Sequence, residues 1–213
     1  MKVQKIGKRS LVFTYKFSEW DLNLHVIKGD RYNYVIDTGC GPENVLPLME
    51  HINGKPAVVI NTHYHWDHVW GNCAFPGSLI ISHTLCRGFT DTGWDEMTAK
   101  YGRFLAGDVV KRLADMTFEG SLCFEDDGIR IWHTPGHTAD SISVYDEQDG
   151  VLNAGDNIGD TPQEIVPSLY CPREVYIKTL ETYKEMKFET CISGHNVPQG
   201  ADIAERILAA LNV

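Results

Sequence analysis

The stretch Thr62-His63-Tyr64-His65-Trp66-Asp67-His68 constrains this chain more than any other. Four side chains able to bind a metal, His63, His65, Asp67 and His68, fall within six residues. Burying titratable groups this close together without a partner is costly. The preceding run Ala57-Val58-Val59-Ile60-Asn61 is short, apolar and β-branched, the pattern of a buried strand. The four side chains therefore stand where a strand gives way to a loop. On extended backbone His63 and His65 point to the same side. Asp67 and His68 follow where the chain can turn, so they face a second point nearby. One cation on the His-x-His pair and another on the Asp-His pair is what this spacing permits. Imidazole and carboxylate suit zinc, iron or manganese.

Three more positions share a pattern: a polar residue beside glycine after an apolar strand. They are His137 in Thr134-Pro135-Gly136-His137-Thr138, Asp156 in Ala154-Gly155-Asp156, and His195 in Ser193-Gly194-His195. Glycine there lets the backbone turn tightly and lets bulky groups approach. Each alone reads as a turn. Together with the first cluster they complete two ligand sets, His63/His65/His137 and Asp67/His68/His195, with the Asp156 carboxylate able to bridge. Three protein ligands and a bridge leave open positions, as in a catalytic site.

Apolar patterning places strands at 11–17, 23–27, 32–36, 57–61 and 79–82, with a helix over 43–52. A second run of strands at 121–125, 129–133, 141–145, 151–154 and 189–193 is joined by helices over 172–186 and 201–211. Between them, helices are expected over 95–105 and 108–116. The aromatic residues of that region, and Trp20, Trp66, Trp70 and Trp94, are candidates for core packing or for the walls of a pocket. Each half supplies strands and then a helix, so two sheets face to face with helices outside would bury everything. No linker-like stretch divides the chain, and one domain over 1–213 is expected.

The net charge of −10, without a Lys/Arg run, argues against nucleic-acid binding. No apolar stretch approaches membrane-spanning length and no signal-peptide core follows the N-terminus, so a cytoplasmic protein without membrane contact is expected. A homo-oligomer is compatible with this reading. The six cysteines include no C-x-x-C pair and read as free thiols. No Gly-x-Ser-x-Gly context occurs, which disfavours a serine hydrolase.

Asp37-Thr38-Gly39, His63-x-His65-x-Asp67-His68, Gly136-His137-Thr138, Gly155-Asp156 and Gly194-His195, in this order, resemble the motifs of the metallo-β-lactamase superfamily. The resemblance spans almost the whole chain. It implies an α+β fold, a four-layer αββα sandwich of two mixed sheets with outer helices and a dinuclear site at one sheet edge. It also implies that Asp37 supports the site without being a ligand. The implied cofactor is two divalent metal ions, zinc by first choice, with iron or manganese as alternatives. Metal-bound hydroxide would attack an ester, thioester, lactone or phosphoester bond of a small molecule, with Asp67 guiding a proton.

Departures narrow the family. Asp156 sets the chain apart from true metallo-β-lactamases and toward the glyoxalase II-like and general hydrolase branches. Only 18 residues follow His195, too few for the added glutathione-binding region of glyoxalase II. The tyrosine that quorum-type lactonases place shortly after the bridging aspartate is replaced here by Asn157-Ile158-Gly159-Asp160, although Tyr170 can reach in. Asp140 stands where a glycine is usual and reads as a turn or supporting residue. The alternative chemistry in this superfamily is a mononuclear iron persulfide dioxygenase built on His63, His137 and Asp156.

Overall fold

The computed structural model describes residues 1–212. Seven strands form the first sheet, in sequence order across it: β1 (Lys2–Ile6), β2 (Ser10–Lys16), β3 (Asp21–Lys28), β4 (Asn33–Ile36), β5 (Ala57–Ile60), β6 (Leu79–His83) and β7 (Met116–Phe118). Pairing is antiparallel from β1 to β4 and parallel from β4 to β7. The second sheet has β8 (Ser121–Phe124), β9 (Ile129–His133), β10 (Ile142–Asp146), β11 (Val151–Asn153), β12 (Thr190–Ile192) and β13 (Gln199–Gly200). Their spatial order is β13-β12-β11-β10-β9-β8, and β11 and β12 are its parallel pair. The helices are α1 (Pro42–Met49), the one-turn α2 (Trp66–Val69), α3 (Thr84–Tyr101), α4 (Arg173–Glu185) and α5 (Ile203–Ala210).

Period-two alternation decides the layering. Tyr34, Ile36, Val58, Ile60 and Ile81 point to one face of the first sheet and meet Ile129, Ile131, Ile142 and Val144 of the second. Their sequence neighbours Val35, Val59 and Ile80 point the other way, onto Val45 and Leu48 of α1. On the far side, Leu152 and Cys191 pack under Tyr176, Leu180, Ile203 and Ile207 of α4 and α5. A fully buried side chain of this kind stabilises by about 1.5–3 kcal/mol. Strands apolar on both faces therefore have to lie between two layers, and the αββα sandwich follows.

At the edge far from the histidines, one carboxylate joins the two sheets. Asp127 accepts from the backbone N–H of Asp30 (2.5 Å), Arg31 (2.9 Å) and Tyr32 (3.1 Å), and from the Tyr34 hydroxyl (2.8 Å). It thereby pins the β3–β4 turn of one sheet to the β8–β9 turn of the other.

Most expected elements are present within a residue or two of their ends. The stretch between the halves differs. Helix is continuous over Thr84–Tyr101, whereas 108–114 carry no regular structure and Met116–Phe118 is a strand. α3 is polar around most of its circumference, and only Cys86, Thr90 and Met97 are buried. Its periodicity is accordingly faint, and a local cap of an uncommon type starts it: the His83 ring accepts from the backbone N–H of Leu85 (3.2 Å). Strand β1 escaped the pattern because it is a largely exposed edge strand with little apolar content. Among the described residues no helix is long and apolar enough to cross a membrane.

Candidate metal centre

β4 and β5 are parallel, as are β11 and β12, and β9 shares the direction of β11 because both are antiparallel to β10. The C-terminal ends of β4 and β5 and those of β9, β11 and β12 collect the residues singled out above on one edge of the sandwich. Asp37 leaves β4, His63 to His68 leave β5, His137 follows β9, Asp156 follows β11 and His195 follows β12. The loops are held by local geometry. Gly155 has φ +53°, and a Cβ there would lie 2.9 Å from that of Thr62. A Cβ on Gly194 would collide with Asp156 Oδ1 and come within 2.7 Å of His68 Cε1.

All seven expected ligands converge. Donor atoms of His63, His65, His137 and Asp156 lie within 4.8 Å of one another, and so do those of Asp67, His68 and His195. Asp156 Oδ2 stands between the groups, 3.6 Å from His63 Nε2, 3.8 Å from His137 Nε2, 3.3 Å from His68 Nε2 and 3.2 Å from His195 Nε2. Asp67 Oδ2 is 3.5 Å from His195 Nε2.

The far ring nitrogens show what aims these imidazoles. His68 Nδ1–H donates to Asp37 Oδ2 (2.8 Å), His137 Nδ1–H to the Ser168 carbonyl (2.7 Å) and His195 Nδ1–H to the Asp21 carbonyl (2.7 Å). Each therefore turns Nε2 into the cluster. Asp37 also accepts from Thr62 N–H and the Thr62 hydroxyl, both at 2.7 Å, and sits at φ +62°. It supports the site without facing the groups.

The donor set fits divalent cations. His65 Nδ1 lies 3.0 Å from His63 Nε2 and 3.1 Å from His137 Nε2. One hydrogen on His65 can satisfy only one of these contacts, so lone pairs face each other unless a cation lies between them. His68 Nε2 and Asp156 Oδ1 are buried without any hydrogen-bond partner. The electrostatics agree. Burial, reinforced by the neighbouring His68, holds His63 well below the usual imidazole range, and burial pushes His65 down to about 3. At His195 and His68 burial, the largest single influence, opposes protonation, but the carboxylates around them, Asp156 first, together outweigh it. His195 rises to about 9, and His68, with Asp37 and Asp67 adding, rises well above its ordinary value. Asp156 itself is held well below the carboxylate range, since the surrounding histidines outweigh its burial. The buried carboxylates thus favour positive charge at His68 and His195.

Of these groups, His65, Asp67, His137, Asp156 and His195 line the floor of a cavity of about 450 Å³. Tyr64, Trp66, Tyr101 and Tyr170 wall it, with Glu96, Lys100, Asp160 and Glu164 around the mouth. Tyr170 does reach in: its ring lies edge-on, 5.7 Å from His65 and 5.4 Å from His137. Of the tryptophans, Trp66 lines this cavity and Trp20 an adjoining groove, whereas Trp70 is wholly buried and Trp94 packs beside it. Asn157 has no role at the site in the sequence reading. It bonds His137 N–H (2.8 Å), the Thr134 carbonyl (2.7 Å) and the Tyr183 hydroxyl (3.0 Å), and so fixes the His137 loop. Asp140 is buried at 0% exposure, and neither of its oxygens finds a donor among the described residues.

An αββα sandwich with His/Asp clusters at one sheet edge defines a class of protein built around a metal-binding site. The sequence profile of the metallo-β-lactamase superfamily matches residues 20–195, and the chain belongs to that superfamily. A β-lactamase-like protein 2 homolog from Drosophila melanogaster is 27% identical over 186 residues, covering 81% of this chain and 58% of that protein. A hydroxyacylglutathione hydrolase from Thermosynechococcus vestitus is 29% identical over 117 residues, covering 55% of this chain and 40% of that enzyme. The chain thus spans roughly half the length of the curated relatives it matches. The solved structure of TMB-1 superposes with a TM-score of 0.76 at 16% identity, over 98% of this chain and 95% of that one, a likeness of fold alone.

Proposed function

We propose that the chain is a metal-dependent hydrolase that cleaves an ester, thioester, lactone or phosphoester bond of a small molecule. The observation that carries this is the pair of buried, partnerless atoms, His68 Nε2 and Asp156 Oδ1, in a His/Asp cluster of which His65, Asp67, His137, Asp156 and His195 line an open cavity. His63, His65 and His137 would hold one divalent ion and Asp67, His68 and His195 a second, with Asp156 shared. Zinc is the first choice for these ligands, with manganese or iron also suited. When bound, such ions would acidify water and polarise a carbonyl or phosphoryl oxygen. The hydrolase named among the relatives supports the class of reaction.

The chain's own residues supply the rest. Asp37, the Ser168 carbonyl and the Asp21 carbonyl keep His68, His137 and His195 in one tautomer, so the donor set is assembled before substrate arrives. Asp67 is raised above the ordinary carboxylate range by burial, which outweighs His68 and His195. Asp67 lines the cavity, where it would take a proton and pass it on. Trp66, Tyr64 and Tyr101 wall the cavity above the floor.

Elemental mass spectrometry on protein purified without added metal tests the reading, with His195→Ala alongside. Near two equivalents of zinc or manganese, falling toward one in the variant, is expected, together with turnover of members of an ester, thioester, lactone and phosphodiester panel. One equivalent of iron, unchanged in the variant, would overturn it and point to the persulfide dioxygenase.

A further inference from the structure

The cavity mouth carries a charge pattern that the cluster does not require. Glu96 on α3, and Asp160 and Glu164 on the opposite loop, are exposed carboxylates that line the opening. Among the described residues none of the three takes part in an ion pair. The adjoining groove continues from Asp160 to Glu19 and Asp21, where Lys16, its one lysine or arginine among the described residues, is already paired with Asp21. Among the described residues, Lys100 is the one lysine or arginine that lines the main cavity, the histidines lying at its floor. Its ammonium lies over the ring of Tyr101, 5.0 Å from the centroid, so the molecule itself seats a cation on this wall. Tyr170, at 68% exposure, offers a further ring beside the floor, and Tyr64 another.

Unpaired acids around an aromatic opening attract an ammonium and repel anions. Positive charge held at the floor acts the opposite way, drawing in a carbonyl oxygen and repelling an ammonium. The two ends of the cavity therefore sort a substrate by polarity. We propose that this site selects a small ester or related acyl compound whose carbonyl goes to the floor and whose other end is a protonated or quaternary amine held at the mouth. This rests on the hydrolase reading above and deepens it. Polyanionic leaving groups meet the same rim as repulsion.

Three acetate esters of one shape but different charge test it on the metal-loaded protein: the choline ester, its neutral isostere tert-butylethyl acetate, and the acetate of isethionate. At low ionic strength kcat/KM for the choline ester is expected to exceed that of the isostere by about tenfold. The isethionate ester is expected to be slowest. The preference should shrink with added salt, because exposed carboxylates are screened. It should also collapse in the triple variant Glu96→Gln/Asp160→Asn/Glu164→Gln. Calorimetry gives an independent readout: phenyltrimethylammonium should bind more tightly than benzenesulfonate, and less so to the triple variant. Equal rates for the choline ester and its isostere would overturn the proposal. So would faster turnover of the isethionate ester that Lys100→Ala abolishes. If no ester is cleaved while the calorimetric preference and its loss hold, the hydrolytic reading falls and charge selection by the mouth stands.

Discussion

Asp37→Asn isolates the tautomer argument with the smallest change of shape. Asparagine tolerates the positive φ of this position. The Thr62 backbone N–H cannot change its role, so the amide oxygen must stay opposite it at 2.7 Å. The amide nitrogen then replaces Oδ2, 2.8 Å from His68 Nδ1. Two N–H groups would face each other there. His68 relieves the clash by moving its hydrogen to Nε2, the atom that faces Asp156 at 3.3 Å. That nitrogen can no longer ligate. Losing an orienting carboxylate behind a ligand histidine costs about 10–100-fold in metal affinity, which is about 1.4–2.8 kcal/mol. The loss should fall on the Asp67/His68/His195 group and spare His63/His65/His137. Zinc titration against a chromophoric chelator, with far-ultraviolet circular dichroism as the control for folding, measures it. A folded variant with wild-type affinity at both groups would refute the reasoning.

Other expectations follow from single contacts. Gly194→Ala should disturb both groups at once, because its methyl meets Asp156 and His68, and elemental analysis should find less than wild-type metal in a folded protein. Asp127→Ala leaves its backbone and hydroxyl donors without their acceptor, and chemical denaturation should register a loss on the order of 3 kcal/mol. Asp140 titrates above the usual carboxylate range because burial disfavours its charge. The folded state therefore binds its proton more tightly than the unfolded state does. Stability from this group is complete in acid and is lost as pH rises through the raised value. Asp140→Asn removes that loss, so thermal melts should show the variant more stable than wild type at neutral pH and level with it below the carboxylate range. A variant equally destabilised at all pH values would show that the carboxyl is needed for shape instead.

The seven residues that converge were legible in the sequence because the chemistry of holding cations restricts residue types and needs glycine where loops meet. His63-x-His65-x-Asp67-His68 is dense enough to stand out without any fold, and Asp156 and His195 carry glycines that the packing explains. The strands were legible for a related reason: Val58-Val59-Ile60 must satisfy two layers, so every position is apolar. Other parts left no such mark. The carbonyls of Ser168 and Asp21, which aim His137 and His195, belong to the backbone, and any residue type supplies a carbonyl. The course of α3 depends on His83 and on tertiary contact, not on an apolar stripe. Which acids gather at the mouth is settled by segments far apart in the chain, Glu96 on α3 and Asp160 and Glu164 on the loop before α4. The sequence by itself determined the ligand chemistry and the alternation of layers, because both act through residue type at short range. Only the tertiary structure decided the tautomers, the cavity walls and the charge at its mouth, because these arise where distant segments meet.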